Sequence, residues 1–305
     1  MKKITLSISA IILASAITGC VSAPELTPEQ QKELNRFDIS QIKDFGKQLN
    51  TAMNKDALLL YAPVSIEQAK EYYQDALDAE LKDEKMSLYL QAKKSLEHAY
   101  ETKKLVQKYL ADVADIDRRM KIQNTKEIFE DRYEDFKDDE KDLVILIDKD
   151  QVSEALEDKK EVLSEAKDLY GDAVVYRNIH KARMILDSLK DEDLDELAPK
   201  HFEKAETIYE ESRLSIKKEP DNKELVENLS RKTNEFALYT QTIAKDVYNF
   251  RALSKDEQEL YFDKLHRNLA KLNPDEETNS ILPFPIYEKI DRLQEIYKSC
   301  QPSSL

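Results

Sequence analysis

Four histidines, His98, His180, His201 and His266, and 62 acidic residues are the groups in this 305-residue chain that could hold a metal or move a proton. Zinc needs several ligands converging at close spacing, and no histidine here has a second His or Cys three or four residues away. Each therefore reads as a helix-face or surface histidine. The run Asp191-Glu192-Asp193-Leu194-Asp195-Glu196 imitates the opening of a calcium loop, but Glu196 stands where the turn demands glycine and Phe202 where the bidentate acid belongs. It reads as a solvated linker between helices. The sets Asp112, Asp115, Asp117 and Asp148, Asp150 are what so acidic a chain produces by chance, and no serine or cysteine has the surroundings of an activated nucleophile. The sequence predicts no catalytic residue, no metal and no cofactor, and hence no enzyme.

Glycine usage narrows the possibilities further. Gly19, Gly46 and Gly171 are the only three in the chain, whereas phosphate cradles, nucleophile elbows and dinucleotide-binding turns each need glycine for positive φ or close backbone approach. Tight hairpins also favour Asn-Gly or Asp-Gly, and neither pair occurs. Charged residues make up 36% of the chain and alternate with Leu, Ala and Tyr, a composition suited to long helices packed through one face. The formal charge of −15 repels phosphate backbones and anionic head groups, so nucleic acid is excluded as an expected partner and cationic partners are not.

The leader supplies an address. Lys2 and Lys3 precede an apolar run, Ile4 to Ile17, which is too short for a permanent membrane span and reads as an export signal. It ends in Ile17-Thr18-Gly19-Cys20, which resembles the bacterial lipobox. That resemblance implies cleavage of residues 1–19, acylation of Cys20, and a membrane contact made by acyl chains. Val21, standing where the sorting pattern of Gram-negative lipoproteins would place Asp for retention, implies transfer to the outer membrane, with the body facing the periplasm. Loss of Lys2 and Lys3 with the leader moves the formal charge from −15 to −17. Acylated Cys20 and a short tether occupy residues 20–33, with Thr27-Pro28 suited to cap the first helix. Cys300 would then have no intramolecular disulfide partner, and beside Ile296 and Tyr297 it reads as a half-buried small residue.

Helices are predicted from there to the end. Tyr61-Ala62-Pro63-Val64-Ser65-Ile66-Glu67 and Leu197-Ala198-Pro199-Lys200-His201-Phe202-Glu203 lead in two copies of one unit, each with Ala three residues and Tyr seven residues after the apolar position. A weaker copy near 125 carries Ile128-Phe129-Glu130 and Phe136, which places the equivalent positions at Ile66, Phe129 and Phe202. A single helix is expected over Ser87–Asp117, and the apolar run Leu143–Ile147 falls in a helical register with Phe129, Tyr133 and Phe136. Residues 34–250 thus read as helical-hairpin repeats starting near 61, 125 and 197. Residues 251–305 read as a helical pair opened by Ser254 and joined by a Pro-rich connector. The expected fold class is all-α, an elongated array of antiparallel helical hairpins.

The Ala-Pro-led hairpin, over residues 61–110 and 197–245, resembles a helical domain of unknown function in proteobacterial envelope lipoproteins, where it often precedes an OmpA-like peptidoglycan-binding domain. No glycine-bearing OmpA-like segment follows here, so peptidoglycan anchoring of that kind is not implied. The functional expectation is a non-enzymatic periplasmic scaffold or adaptor for another envelope protein. The alternative is a module holding a lipid, peptide or glycan in a helical groove. Pro283-Phe284-Pro285-Ile286 is a candidate partner-binding segment, because its prolines hold an apolar cluster extended; the competing reading is a connector that plugs the last hairpin.

Overall fold

The computed structural model describes residues 37–273 and 281–300; the lipobox, Cys20 and the Thr27 cap lie outside these residues. The chain is all-α, with no strand among the described residues. Its helices are α1 Ser40–Asn54, α2 Leu58–Tyr61, α3 Pro63–Asp78, α4 Lys82–Tyr109, α5 Ala111–Ile122, α6 Thr125–Ile128, α7 Glu130–Asp148, α8 Val152–Asp191, α9 Pro199–Lys218, α10 Lys223–Ala252, α11 Lys255–Ala270 and α12 Ile286–Cys300. They fall into two compact units. One takes the described residues up to Tyr109 together with Lys141–Leu156, and the other takes Leu110–Glu140 and the residues from Glu157 onward.

In the first unit α3 and α4 form a hairpin, and α1 packs against it. Phe45, Leu49, Ala52, Leu58, Ile66, Ala69, Leu96 and Ala99 make one continuous buried cluster, rimmed by Tyr72, Tyr73 and Tyr89. The tyrosines supply apolar area to the core while their hydroxyls stay near water, and Tyr89 meets Phe45 edge-on at 5.8 Å. In the second unit α9 and α10 form the corresponding hairpin. Asn222 caps α10 by accepting from the Leu225 N–H, and Ser254 with Glu257 closes a capping box at the start of α11.

Three helix lead-ins share one backbone path. Ala57, Asn124 and Asp193 are left-handed, with φ of 54°, 53° and 55°. Each is followed by a short turn of helix and then, five residues on, by a kink at Ala62, Phe129 or Ala198 with φ/ψ of −152°/62°, −136°/60° and −135°/52°. This path corrects the sequence alignment of the middle copy. Counting four residues from each kink gives Ile66, Tyr133 and Phe202, all buried, so Tyr133 and not Phe129 is the equivalent position. The side chain of Phe129 mimics the apolar residue of the motif, while its backbone takes the place of Ala62.

The single helix expected over Ser87–Asp117 is also corrected, since α4 ends at Tyr109 and the chain turns at Leu110, φ −109° and ψ 19°, before α5. No Pro or Gly marks the break. It falls where the two units divide, with Leu110 itself buried, so tertiary packing overrides a helical local pattern. The Leu143–Ile147 run, by contrast, is helix within α7.

Gly171 lies inside α8 against the end of α9. A Cβ there would meet Lys217 Cγ and the Lys217 carbonyl oxygen, each at 3.0 Å. Gly171→Leu is expected to destabilise the second unit by about 1–3 kcal/mol through overpacking. Gly171→Ala should cost less, because alanine's helix propensity recovers up to about 1 kcal/mol. Urea unfolding of the two variants checks the order.

Candidate functional site

Helix α3 begins with a defect that the sequence displays openly. Its N-cap is Ala62, which has no side-chain acceptor for the first free N–H groups, and Pro63 follows at the first helical position. The acceptor comes from the end of α7. The Asp148 carboxylate receives the Val64 N–H at 2.7 Å, the Ser65 N–H at 2.9 Å and the Ser65 hydroxyl at 2.5 Å. With its only proton donated to Asp148, Ser65 Oγ accepts from His98 Nδ1–H at 2.8 Å. Thr102 Oγ1 lies 3.5 Å from the same nitrogen, and His98 Nε2 is 3.3 Å from Asp150. The Asp148 side chain is fully buried and that of His98 partly exposed. An open cavity of about 520 Å³ adjoins, lined in part by Gln68, Tyr72, Lys94 and Ser95.

Ser, His and Asp in contact invite comparison with a nucleophilic triad, and the proton directions argue otherwise. In a triad the hydroxyl donates to the imidazole and the acid orients the far ring nitrogen. Here an acid, Asp150, does lie at the far ring nitrogen, but the buried hydroxyl donates to Asp148, which also holds two backbone N–H groups. The arrangement is a helix cap supplied from a distant part of the sequence, braced by a histidine.

An equivalent cluster occurs in the second unit with different chemistry. Ser65 stands three residues past the kink at Ala62, and Arg132 three past Phe129. Arg132 meets Asp172 at 2.9 Å and Asp168 at 3.3 Å, and Lys217, near the end of α9, meets both acids at 2.7 and 2.8 Å. Burial opposes the charge on Asp172, but Lys217 and Arg132 together hold its carboxyl below the usual range. The open cavity beside this cluster measures about 700 Å³ and is lined by acids and bases of both signs, Asp135, Asp139, Glu165 and Lys167 among them. Asp117 forms a further node. Burial likewise opposes its ionisation, and hydrogen bonds from Lys121 and Tyr133 with the charge of Lys137 outweigh it.

The remaining sequence candidates are dispersed. His180 stacks on Tyr176 at 4.0 Å, His201 lies against Phe236 and Tyr239, and His266 accepts from the buried Lys289 at 2.5 Å. Asp193 takes the left-handed position after α8, and the Leu194 N–H closes back on the Leu189 carbonyl, so the acidic run ends a helix. Among the described residues no group of three or more His, Cys, Asp or Glu could hold a metal, and no helix is long and apolar enough to cross a membrane. Phe284 packs on the Ala270, Ile281 and Leu293 cluster with the Arg292 guanidinium over its ring, while Pro283 and Pro285 are exposed. Ile17, Thr18, Gly19 and Cys20 lie outside the described residues. Neither Ser65 nor Asp148 stands out in the sequence as a site residue; the alanine at the N-cap is the signal that an acceptor arrives from elsewhere.

No protein-family model, curated protein or solved structure matches this chain.

Asp148→Asn keeps the shape but weakens the cap and places an amide N–H₂ where Ser65 donates. It is expected to cost about 1–3 kcal/mol, and Ser65→Ala about 1 kcal/mol, by chemical denaturation. The pH dependence has two limbs. Asp117 and Asp172 have folded pKa values below the ordinary 3.8, so their contribution is present above that value and is lost as pH falls through the folded values. Hydrogen bonding to Asp56 pushes Tyr100 up to about 12, and burial with a hydrogen bond to Asp221 does the same for Tyr170. The unfolded chain thus loses these protons first, near pH 10, and stability declines as pH rises from there toward 12. Absorbance at 295 nm should show these tyrosines still protonated while exposed ones ionise.

Proposed function

We propose that this protein is a non-enzymatic outer-membrane lipoprotein, anchored through acyl chains on Cys20 and facing the periplasm, where it acts as a scaffold or adaptor for another envelope protein. The Ile17-Thr18-Gly19-Cys20 sequence supports the address. The observation that carries the scaffold reading is the use of the Ser65–His98–Asp148 cluster: the side chains best suited to chemistry are committed to holding a helix start to a helix end. The recurring lead-ins support a body assembled from related hairpins, and such bodies work by presenting extended surfaces. The body's negative charge directs the choice of partner toward a cationic or uncharged surface.

The test is crosslinking in intact cells followed by purification of the native protein, with Cys20→Ala as the unanchored control. One defined envelope complex, lost in the control, is the expected result. A lipid or glycan retained on the purified protein, with no protein partner, would replace this reading by the ligand-holding one.

A further inference from the structure

The groove between α3 and α4 is lined by side chains that the cap at Asp148 does not use. Gln68 and Tyr72 follow Ser65 along α3 at steps of three and four residues, and Gln91, Lys94 and Ser95 precede His98 on one face of α4, so each helix gives one wall. Lys149 and Asp150, in the turn after α7, complete the lining, and all of these residues belong to the first unit. At about 1.5 Å per residue the walls run about 10–12 Å, the length of a disaccharide. The volume of about 520 Å³ lies within the range of small-molecule sites.

The polar groups of this groove are free, whereas those of neighbouring faces are tied up. Among the described residues the side chains of Gln68, Tyr72, Lys94, Ser95 and Lys149 make no hydrogen bond and no ion pair. On the side of α3 toward α1, Lys70 pairs with Glu67 at 2.9 Å and Gln74 bonds Asp78 at 3.1 Å, and in the cavity beside Arg132 acids and bases hold one another. The lining is also balanced in charge, unlike the chain as a whole: with His98 neutral, the ammonium groups of Lys94 and Lys149 are matched in number by the carboxylates of Asp148 and Asp150. An ionic ligand gains little net attraction there, so hydrogen bonding selects the occupant. The walls offer bonds in both directions, because a glutamine carboxamide donates and accepts, as do the serine and tyrosine hydroxyls. A sugar hydroxyl has the same double character. Tyr72, half-buried against the core, adds apolar area for the C–H edge of a sugar ring. An alkyl chain in this groove would strip water from carboxamides and ammonium groups and return no bond.

We propose that the groove between α3 and α4 binds a neutral oligosaccharide through the Gln68 and Gln91 carboxamides, the Ser95 hydroxyl and the Tyr72 ring. The cap at Asp148 preorganises the groove, because it fixes the start of α3 beside α4. This goes beyond the scaffold reading. Millimolar affinity, expected of so open a groove, is lost on purification, which separates the site from a ligand carried by the isolated protein. The probes are cellotriose, maltotriose and triacetylchitotriose, titrated into the full chain while the glutamine side-chain amide signals are followed by NMR. At least one sugar is expected to shift the Gln68 and Gln91 signals and to saturate at millimolar concentration. Gln68→Leu and Gln91→Leu, both at exposed positions, should each weaken that binding up to about tenfold. Gln74→Leu, on α3 but outside the groove, should leave it unchanged. Silence of both amides to all three sugars at tens of millimolar, or binding indifferent to the two groove substitutions, would overturn the proposal. So would triglycine or glucuronate shifting the same signals where the neutral sugars do not, since the groove would then take a peptide or an anion. None of these results bears on the complex crosslinked in cells, so the scaffold reading stands or falls separately.

Discussion

The arrangement of the first unit depends on one carboxylate. Asp148 is buried, and a buried carboxylate is tolerated only where charge-assisted hydrogen bonds replace its water. Two N–H groups and a hydroxyl do so here. The same contact satisfies the start of α3 and ties it to the end of α7, which the left-handed Asp150 closes, beside the apolar cluster around Ile66 and Ala99. Removing either partner leaves the other unsatisfied, which costs more than the bond itself contributes.

The recurrence of this geometry with different side chains gives it a wider meaning. A left-handed residue, a kink five positions on, and a face completed by a helix end occur with Asp148 over Ser65 and with Lys217 beside Arg132. The two covers are of opposite charge, so exchanging them would set a carboxylate against Asp168 and Asp172 and an ammonium against the N–H donors at the start of α3. Polar contacts of this kind set register more than they add stability. Apolar positions such as Ile66, Tyr133 and Phe202 supply area, and they would tolerate a slipped partner more readily than the polar covers do.

Much of this was legible in the sequence. Scarce glycine and interleaved charge predict the all-α class, and Ser254 predicts the start of α11. In the middle lead-in side-chain likeness points to Phe129, four residues from the position the backbone path makes equivalent, and Asn124, a residue that tolerates positive φ, is the better marker. The break at Leu110 carries no local signal, since packing imposes it. The Ser65–His98–Asp148 cluster was invisible as a cluster because its members lie 33 and 83 residues from Ser65. Its need was nonetheless written at Ala62, where a helix begins without a cap of its own.

Native-state hydrogen exchange at the Val64 and Ser65 amides tests the central claim most directly. These are first-turn N–H groups, which exchange freely at an ordinary uncapped helix start. Protection approaching that of the α3 interior, lost in Asp148→Asn while α4 keeps its own, is the predicted result. Fast exchange of both amides in the unmodified chain would mean that Asp148 does not hold the start of α3, and the account built on that contact would fail.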